Sequence, residues 1–172
     1  LTFNPGADWS IQGSYGYLRH PEPSKPDVSL QRVTGSVARN VALGGGANWA
    51  TTLLASVNIE RDGAATPATL LESNWSIDGH HVRFGRAEYV RKTGEDLVLP
   101  SDREATIFNV GLVGLVGLGY VYYFGPLASF SPGVGFRGSL GFADSRLDPF
   151  YATQFPLGAM GFLQIRPAPM SM

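Results

Sequence analysis

Cysteine is absent from the sequence. That removes disulfides, thiol nucleophiles and thiolate metal sites together. Charge is scarce: 16% of the 172 residues are Asp, Glu, Lys or Arg, against roughly 25% in ordinary soluble proteins. What charge there is nearly cancels, at −1 net, so the chain as a whole offers no electrostatic footprint for nucleic acid. The histidines occur without a His-x-x-x-His spacing, which speaks against a zinc site, and no metal or other cofactor is expected. No basic-then-apolar targeting segment opens the chain, and its first residue is Leu1 rather than Met. Either a leader has been removed or this is a piece of a longer protein. The opening "LTFNPG" reads as the end of a strand running into a Pro-Gly turn, which favours the second alternative. A long amphipathic helix pattern is also missing.

What is present is apolar, glycine-rich and aromatic: 44% hydrophobic residues, 22 glycines and 12% aromatics. Glycine with aromatics suits closely packed β-structure and is poor for helices. Alternation with period two recurs along the chain. In "WSIQGSYGY", Trp9, Ile11, Gly13, Tyr15 and Tyr17 share a face. In "SLQRVTGSVARNV", Val33, Gly35, Val37 and Val41 lie opposite Arg32, Thr34, Ser36 and Ala38. "NWATTLLASVNIE" sets Trp49, Thr51, Leu53, Ala55, Val57 and Ile59 against Ala50, Thr52, Leu54, Ser56, Asn58 and Glu60. "LLESNWSI" and "VRFGRAEYV" flank "DGHH", an Asp-Gly hairpin signal. "VGFRGSLGF" and "LGAMGFLQIR" close the series, with Leu140 and Leu163 opposite Arg137 and Arg166.

The segment "IFNVGLVGLVGLGYVYYF", Ile107 to Phe124, carries no charge. As a helix it would span about 27 Å at 1.5 Å per residue, enough to cross a bilayer. Gly111, Gly114, Gly117 and Gly119 would each cost roughly 1 kcal/mol there. A lone helix has no place among hairpins. The segment is therefore read as a long strand whose glycines let it bend, with Asn109 and Gly111 on the polar side.

The count is about eight strands of about ten residues, the length that crosses a bilayer at a tilt. Connections alternate between long and short. "HPEPSKPD", "RDGAATPA", the polar stretch 91–105 and "ADSRLDPFYATQFP" are long or rich in Pro and charge. "NVALGGGA", "DGHH" and "FGPLASFSPG" are shorter or Gly-rich. Outer-membrane barrels show this asymmetry, with short turns at the periplasmic end.

Periodicity does not tell a lipid-facing apolar side from a soluble core, but aromatic placement does. If the first strand runs upward from the periplasm, Trp9, Trp49 and Trp75 fall at one rim and Tyr15, Tyr17 and Tyr89 near the other. Two aromatic girdles are a membrane-barrel trait. The opposite face carries Arg32, Glu60, Glu72, Arg86, Glu88, Arg137 and Arg166. A dry core would not hold seven charges cheaply, since each unpaired buried ion costs several kcal/mol. A wet or mutually paired lumen tolerates them. Arg39 and Arg83 break the pattern, and both sit near the periplasmic strand ends, where an arginine can snorkel to the interface.

The stretches "DWSIQGSYGYLRHPE", "NWATTLL", "FGRAEYVRKTGEDLVL", "FNVG", "LGYV", "FGP", "DPFYATQFP" and "FLQIRPAPM" together resemble the C-terminal half of an uncharacterised family of bacterial outer-membrane β-barrel proteins. The likeness covers nearly the whole chain, and its motifs are architectural. Members are longer, carry an N-terminal portion often rich in His and Met that is absent here, and often occur beside metal-resistance genes. The resemblance implies a barrel with more strands than this chain displays. It supplies no catalytic residue.

Other chemistry is weighed residue by residue. Arg86 and Glu88 face the same way, as a selectivity site or as a ladder pairing with Glu72 or Arg137. His80 and His81 follow a tight turn with only Asp78 as a further ligand, which favours a solvated turn. His20, Ser24 and Asp27 share a Pro-rich loop without an oxyanion-hole motif. Glu95, Asp96, Asp102 and Glu104 make one loop acidic, with Arg91, Lys92 and Arg103 interspersed. "GGG" at 44–46 lacks the Lys-Ser/Thr of a phosphate loop. "RPAPMSM" ends in methionines suited to soft metal but reads as a tail.

The sequence thus predicts an all-β, antiparallel, up-and-down transmembrane β-barrel. Residues 1–172 form a single such domain or the C-terminal part of a larger one, with 167–172 as a tail. The expected localisation is the bacterial outer membrane and the expected role a passive pore or envelope structural protein, not an enzyme. Outer-membrane lipids, lipopolysaccharide and the barrel-assembly machinery are the expected partners, with a homo-oligomer left open. The competing readings are a membrane barrel enzyme, lipid-modifying or proteolytic, and a soluble lipocalin-like barrel holding an apolar ligand.

Overall fold

The computed structural model describes residues 1–19, 29–61, 65–92, 111–148 and 153–167. They form one antiparallel sheet of nine strands, each paired with its neighbours in sequence. The strands are β1 (Thr2–Gly6), β2 (Trp9–Arg19), β3 (Ser29–Gly44), β4 (Ala47–Glu60), β5 (Ala65–Ser76), β6 (His81–Lys92), β7 (Gly111–Tyr123), β8 (Phe130–Ala143) and β9 (Leu157–Pro167). Among the described residues there is no α-helix, only a short 3-10 turn, Ser145–Leu147. No helix is long and apolar enough to cross a membrane, which says nothing about crossing by strands.

The apolar run within Ile107–Phe124 is strand β7, as its glycines and β-branched residues require. Gly111 pairs with Lys92 and stands on the same side as Arg86, two ladder steps from Val113 and Val90. Asn109 lies outside the described residues. The strand end read in "LTFNPG" is β1, Thr2–Gly6, with Pro5 and Gly6 inside the strand and the turn at Ala7 and Asp8, which makes nine strands where the alternation counted about eight. It was too short for periodicity to register. From β2 onward the strands run from 11 to 16 residues, longer than the expected ten or so. Ala65–Ala68 and Phe130–Gly133, which the sequence assigns to connections, extend β5 and β8. Ladder hydrogen bonds carried the strands past the point where Pro67, Pro132 and alanines blurred the alternation.

Tight connections gather at one end of the sheet. Ala7 and Asp8 join β1 to β2, and Gly45 and Gly46 join β3 to β4. Gly44, Gly45 and Gly46 all have positive φ, at 82°, 60° and 81°. They allow β3 to end in a bulge between Ala42 and Gly44 before the chain reverses. Residues 77–80 join β5 to β6, and 124–129 join β7 to β8. At the other end β8 reaches β9 through 144–156, where Asp144 caps the 3-10 turn by accepting the Arg146 N–H.

The sheet has two chemically distinct faces because period-two alternation is kept in register across all ladders. Thr51, Leu53, Ala55 and Val57 on β4 align with Ser73, Leu71, Thr69 and Pro67 on β5. On β7 and β8, Val116 aligns with Leu140 and Tyr120 with Phe136. The side chains of this apolar face are exposed: Leu53 to 52%, Leu118 to 69%, Phe136 to 61% and Leu163 to 85%. The other face is concave. Phe84 on β6 meets Phe162 on β9, ring centroids 6.3 Å apart, although two strands separate them. Val82, Val121 and Tyr123 pack beside them and are buried.

The closed barrel expected from the alternation is not formed by the described residues. Their sheet is open, with β1 and β9 as its edges. At five residues, and with its register shifted between Phe3 and Gly6, β1 supplies a broken ladder along only part of β2 rather than a seam for β9.

Candidate functional site

All seven residues of the expected charge ladder project from the concave face. Glu72 and Arg86 are direct partners across β5 and β6. Arg86 bridges two carboxylates: its Nη1 donates to Glu72 Oε1 at 2.8 Å, and its Nη2 and Nε donate to Glu88 Oε2 at 2.7 and 3.0 Å. Glu88 is reached along the same strand because residues two apart share a face. Arg137 lies across Gly117, where a side chain would collide with its guanidinium, and Gly117 is the ladder partner of Arg86. Thr52, Glu72, Asn74, Arg86, Arg137 and Gln164 line a cavity of about 470 Å³. Apart from Ser73, its remaining wall is aromatic, aliphatic or glycine, including Phe84, Val121 and Phe162.

The rest of the ladder stands apart from this cluster. Arg32 on β3 donates from Nε to Asn58 Oδ1 at 2.8 Å. Glu60 sits at the far end of β4, partnered in register with Leu30. Arg166 on β9 lies over the Tyr123 ring, 3.8 Å from its centroid, and donates to the Gly79 carbonyl. The ladder is therefore a three-residue ion cluster with Arg137 at its side and three further charges held by neutral or aromatic neighbours or set elsewhere on the face.

On the apolar face the tryptophans gather at the tight-turn end. Trp49 and Trp75 are direct partners across β4 and β5. Trp9 opens β2 at the same end. Tyr15 and Tyr17 stand toward the far end of β2 and Tyr89 toward the far end of β6. The two arginines that broke the alternation each lie over a tryptophan of this band. Arg39 is 5.1 Å from the Trp9 ring centroid, and Arg83 is 5.6 Å from that of Trp75. Polar atoms on this face partner one another. Trp49 Nε1 donates to Ser73 Oγ at 2.9 Å, which also meets Thr51 Oγ1 at 3.0 Å.

Three features escaped the sequence reading. Tyr120, Tyr122 and Phe136 extend the aromatic band beyond the tryptophans, since Tyr120 pairs with Arg83 and Phe136, and Tyr122 with His81. Their even-numbered parity within β7 and β8 was available as a signal. The second is the histidine turn, which is ordered rather than merely solvated. Asp78 Oδ1 accepts the N–H groups of both His80 and His81, at 3.0 and 2.8 Å. The His80 ring bonds the Tyr123 carbonyl, and the His81 ring bonds the Tyr120 hydroxyl. The Asp78 carboxyl is held below its usual range, first by the His81 N–H, with the His80 N–H adding to it. The third is a groove of about 400 Å³ on the apolar face between Trp9 and Trp49.

Among the described residues no group of three or more His, Asp or Glu is arranged to hold a metal ion. His20, Ser24 and Asp27 fall outside the described residues, as do Glu95, Asp96, Asp102, Arg103, Glu104 and the terminal methionines. No protein-family model matches the chain, and no curated protein or solved structure matches it either.

Proposed function

We propose that the protein is a bacterial outer-membrane β-barrel, or the C-terminal part of one, acting as a passive pore or envelope structural protein. The observation that carries this reading is the sidedness of the sheet. Its convex face exposes large apolar side chains on every strand from β2 to β9, while its concave face holds the ion cluster of Glu72, Arg86 and Glu88. Soluble monomers rarely expose apolar patches beyond a few hundred Å². A water-soluble container would reverse the two faces, so the lipocalin-like alternative finds no support in this arrangement. The open edges of β1 and β9 are consistent with further strands completing a larger barrel, as the family resemblance implies. Lipid, lipopolysaccharide and the barrel-assembly machinery are the partners this reading entails.

Conductance in planar bilayers tests the function. An open lumen gives steady single-channel current, and Glu72→Gln shifts its ion preference toward anions, because Arg86 and Arg137 then face one carboxylate fewer. Absence of current from inserted protein would assign the structural role. Protein that stays in the aqueous phase without detergent would overturn the membrane reading itself.

A further inference from the structure

Resting on the membrane reading, we infer that the groove between Trp9 and Trp49 is a binding site for an anionic glycerophospholipid. The groove is lined by Trp9, Val37, Arg39, Val41, Trp49 and Leu53. All lie on the convex face, and the large apolar ones at its mouth are solvent-exposed. Arg39 is the only charged side chain among the groove's lining residues. It sits on an otherwise uncharged ladder row, opposite Trp9 and beside Thr51. Among the described residues it pairs with no carboxylate. The Trp9 ring covers one guanidinium face by cation–π attraction, an arrangement that does not use the in-plane N–H groups.

That combination selects a ligand. A planar fork of donors fits a phosphodiester, which accepts two parallel hydrogen bonds. On its mid-sheet side Val37 and Leu53 begin an apolar strip for one acyl chain, while Val41 and Trp49 stand on its rim side, Trp49 with its indole N–H already satisfied by Ser73. A zwitterionic lipid brings a phosphate too, but none of the groove's lining residues offers its ammonium a carboxylate. A headgroup of net negative charge binds without that penalty. The tight-turn end carries a second stacked pair, Arg83 on Trp75. The acyl strip and the guanidinium are adjacent, which places the headgroup at this rim and the chain toward mid-sheet.

The test uses protein reconstituted into phosphatidylcholine vesicles, with Trp75→Phe leaving Trp9 and Trp49 as reporters. Brominated phosphatidylglycerol or brominated phosphatidylcholine is added at equal mole fraction, and tryptophan quenching is compared. The proposal expects about fivefold more effective quenching by the anionic lipid, the size of one arginine's preference for an anionic headgroup. Arg39→Gln removes the preference while quenching by phosphatidylcholine persists. Arg39→Lys, which keeps the charge and loses the stack, retains part of it, so a folding defect is told apart from lost recognition. Equal quenching by both lipids, or a preference that survives Arg39→Gln, overturns the site and leaves the membrane reading standing. Quenching by neither lipid removes both.

Discussion

Gly119 and Phe84 face each other across β6 and β7, and the ring lies where a glycine Cβ would be. A methyl at Gly119 would come within 2.1 Å of Phe84 Cζ, and one at Gly135 within 2.5 Å of Phe162 Cζ. These glycines seat rings flat against the concave face. Gly119→Ala is expected to cost about 1–3 kcal/mol in urea unfolding, as overpacking does. Phe84→Leu in the same chain should restore part of that loss. Gly13, with nothing within 4 Å of its Cβ position, should accept alanine with a change of about 0.5 kcal/mol or less. The glycines were legible in the sequence, but only as places where a strand could bend. Which ring sits over which glycine depends on cross-strand register, and that is set by ladders between segments far apart in the chain. Asp78 makes a second residue-scale prediction. Its folded-state pKa is lowered, so its hold on the turn is fully present above its ordinary value of 3.8 and is lost as pH falls through the lower folded value. The protection of the His80 and His81 amides against hydrogen exchange, taken relative to the intrinsic rate at each pH, should fall only below that ordinary value. Asp78→Ala should lower that protection already at neutral pH, whereas Asp78→Asn, which keeps the accepting oxygen, should have a much smaller effect.

At the level of elements, hairpin β5–β6 carries the chemistry of the concave face. Glu72 and Arg86 are aligned by the register that also aligns Trp75 with Arg83, so one set of ladder bonds positions both faces. The side chains of Arg86 and Glu72 are 43% and 48% exposed, so solvent screens their attraction. A double-mutant cycle of Glu72→Gln and Arg86→Gln should therefore give a coupling of about 0.5–1 kcal/mol that shrinks as salt is raised. A larger, salt-insensitive coupling would mean a drier cluster than this geometry supports. The side of the sheet each of these residues takes was readable from alternation alone, because period two needs no knowledge of partners. Strand ends were not. Pro67 and Pro132 interrupt the alternation, yet their segments pair with Val57 and Ile165 and remain in the sheet. The stacking of Arg39 on Trp9 was equally hidden: the two residues lie on different strands, and only register brings them together.

For the whole molecule, the decisive property is which medium each face meets. Composition and alternation predicted two faces of opposite chemistry, and the described residues form them. Closure was beyond the sequence, because a meander of hairpins has the same local pattern whether its first and last strands meet or not. The sheet here ends at β1 and β9. Nitroxide labels placed singly from Ala50 to Val57 along β4, in protein reconstituted into bilayers, measure the medium directly through collision with oxygen and with a water-soluble nickel complex. Labels at Thr51, Leu53, Ala55 and Val57 should be oxygen-accessible and nickel-protected, and those at Ala50, Thr52, Leu54 and Ser56 the reverse, with a period of two. Nickel access at Leu53 and Val57 equal to that at Thr52 and Ser56, or the opposite phase, would contradict the account.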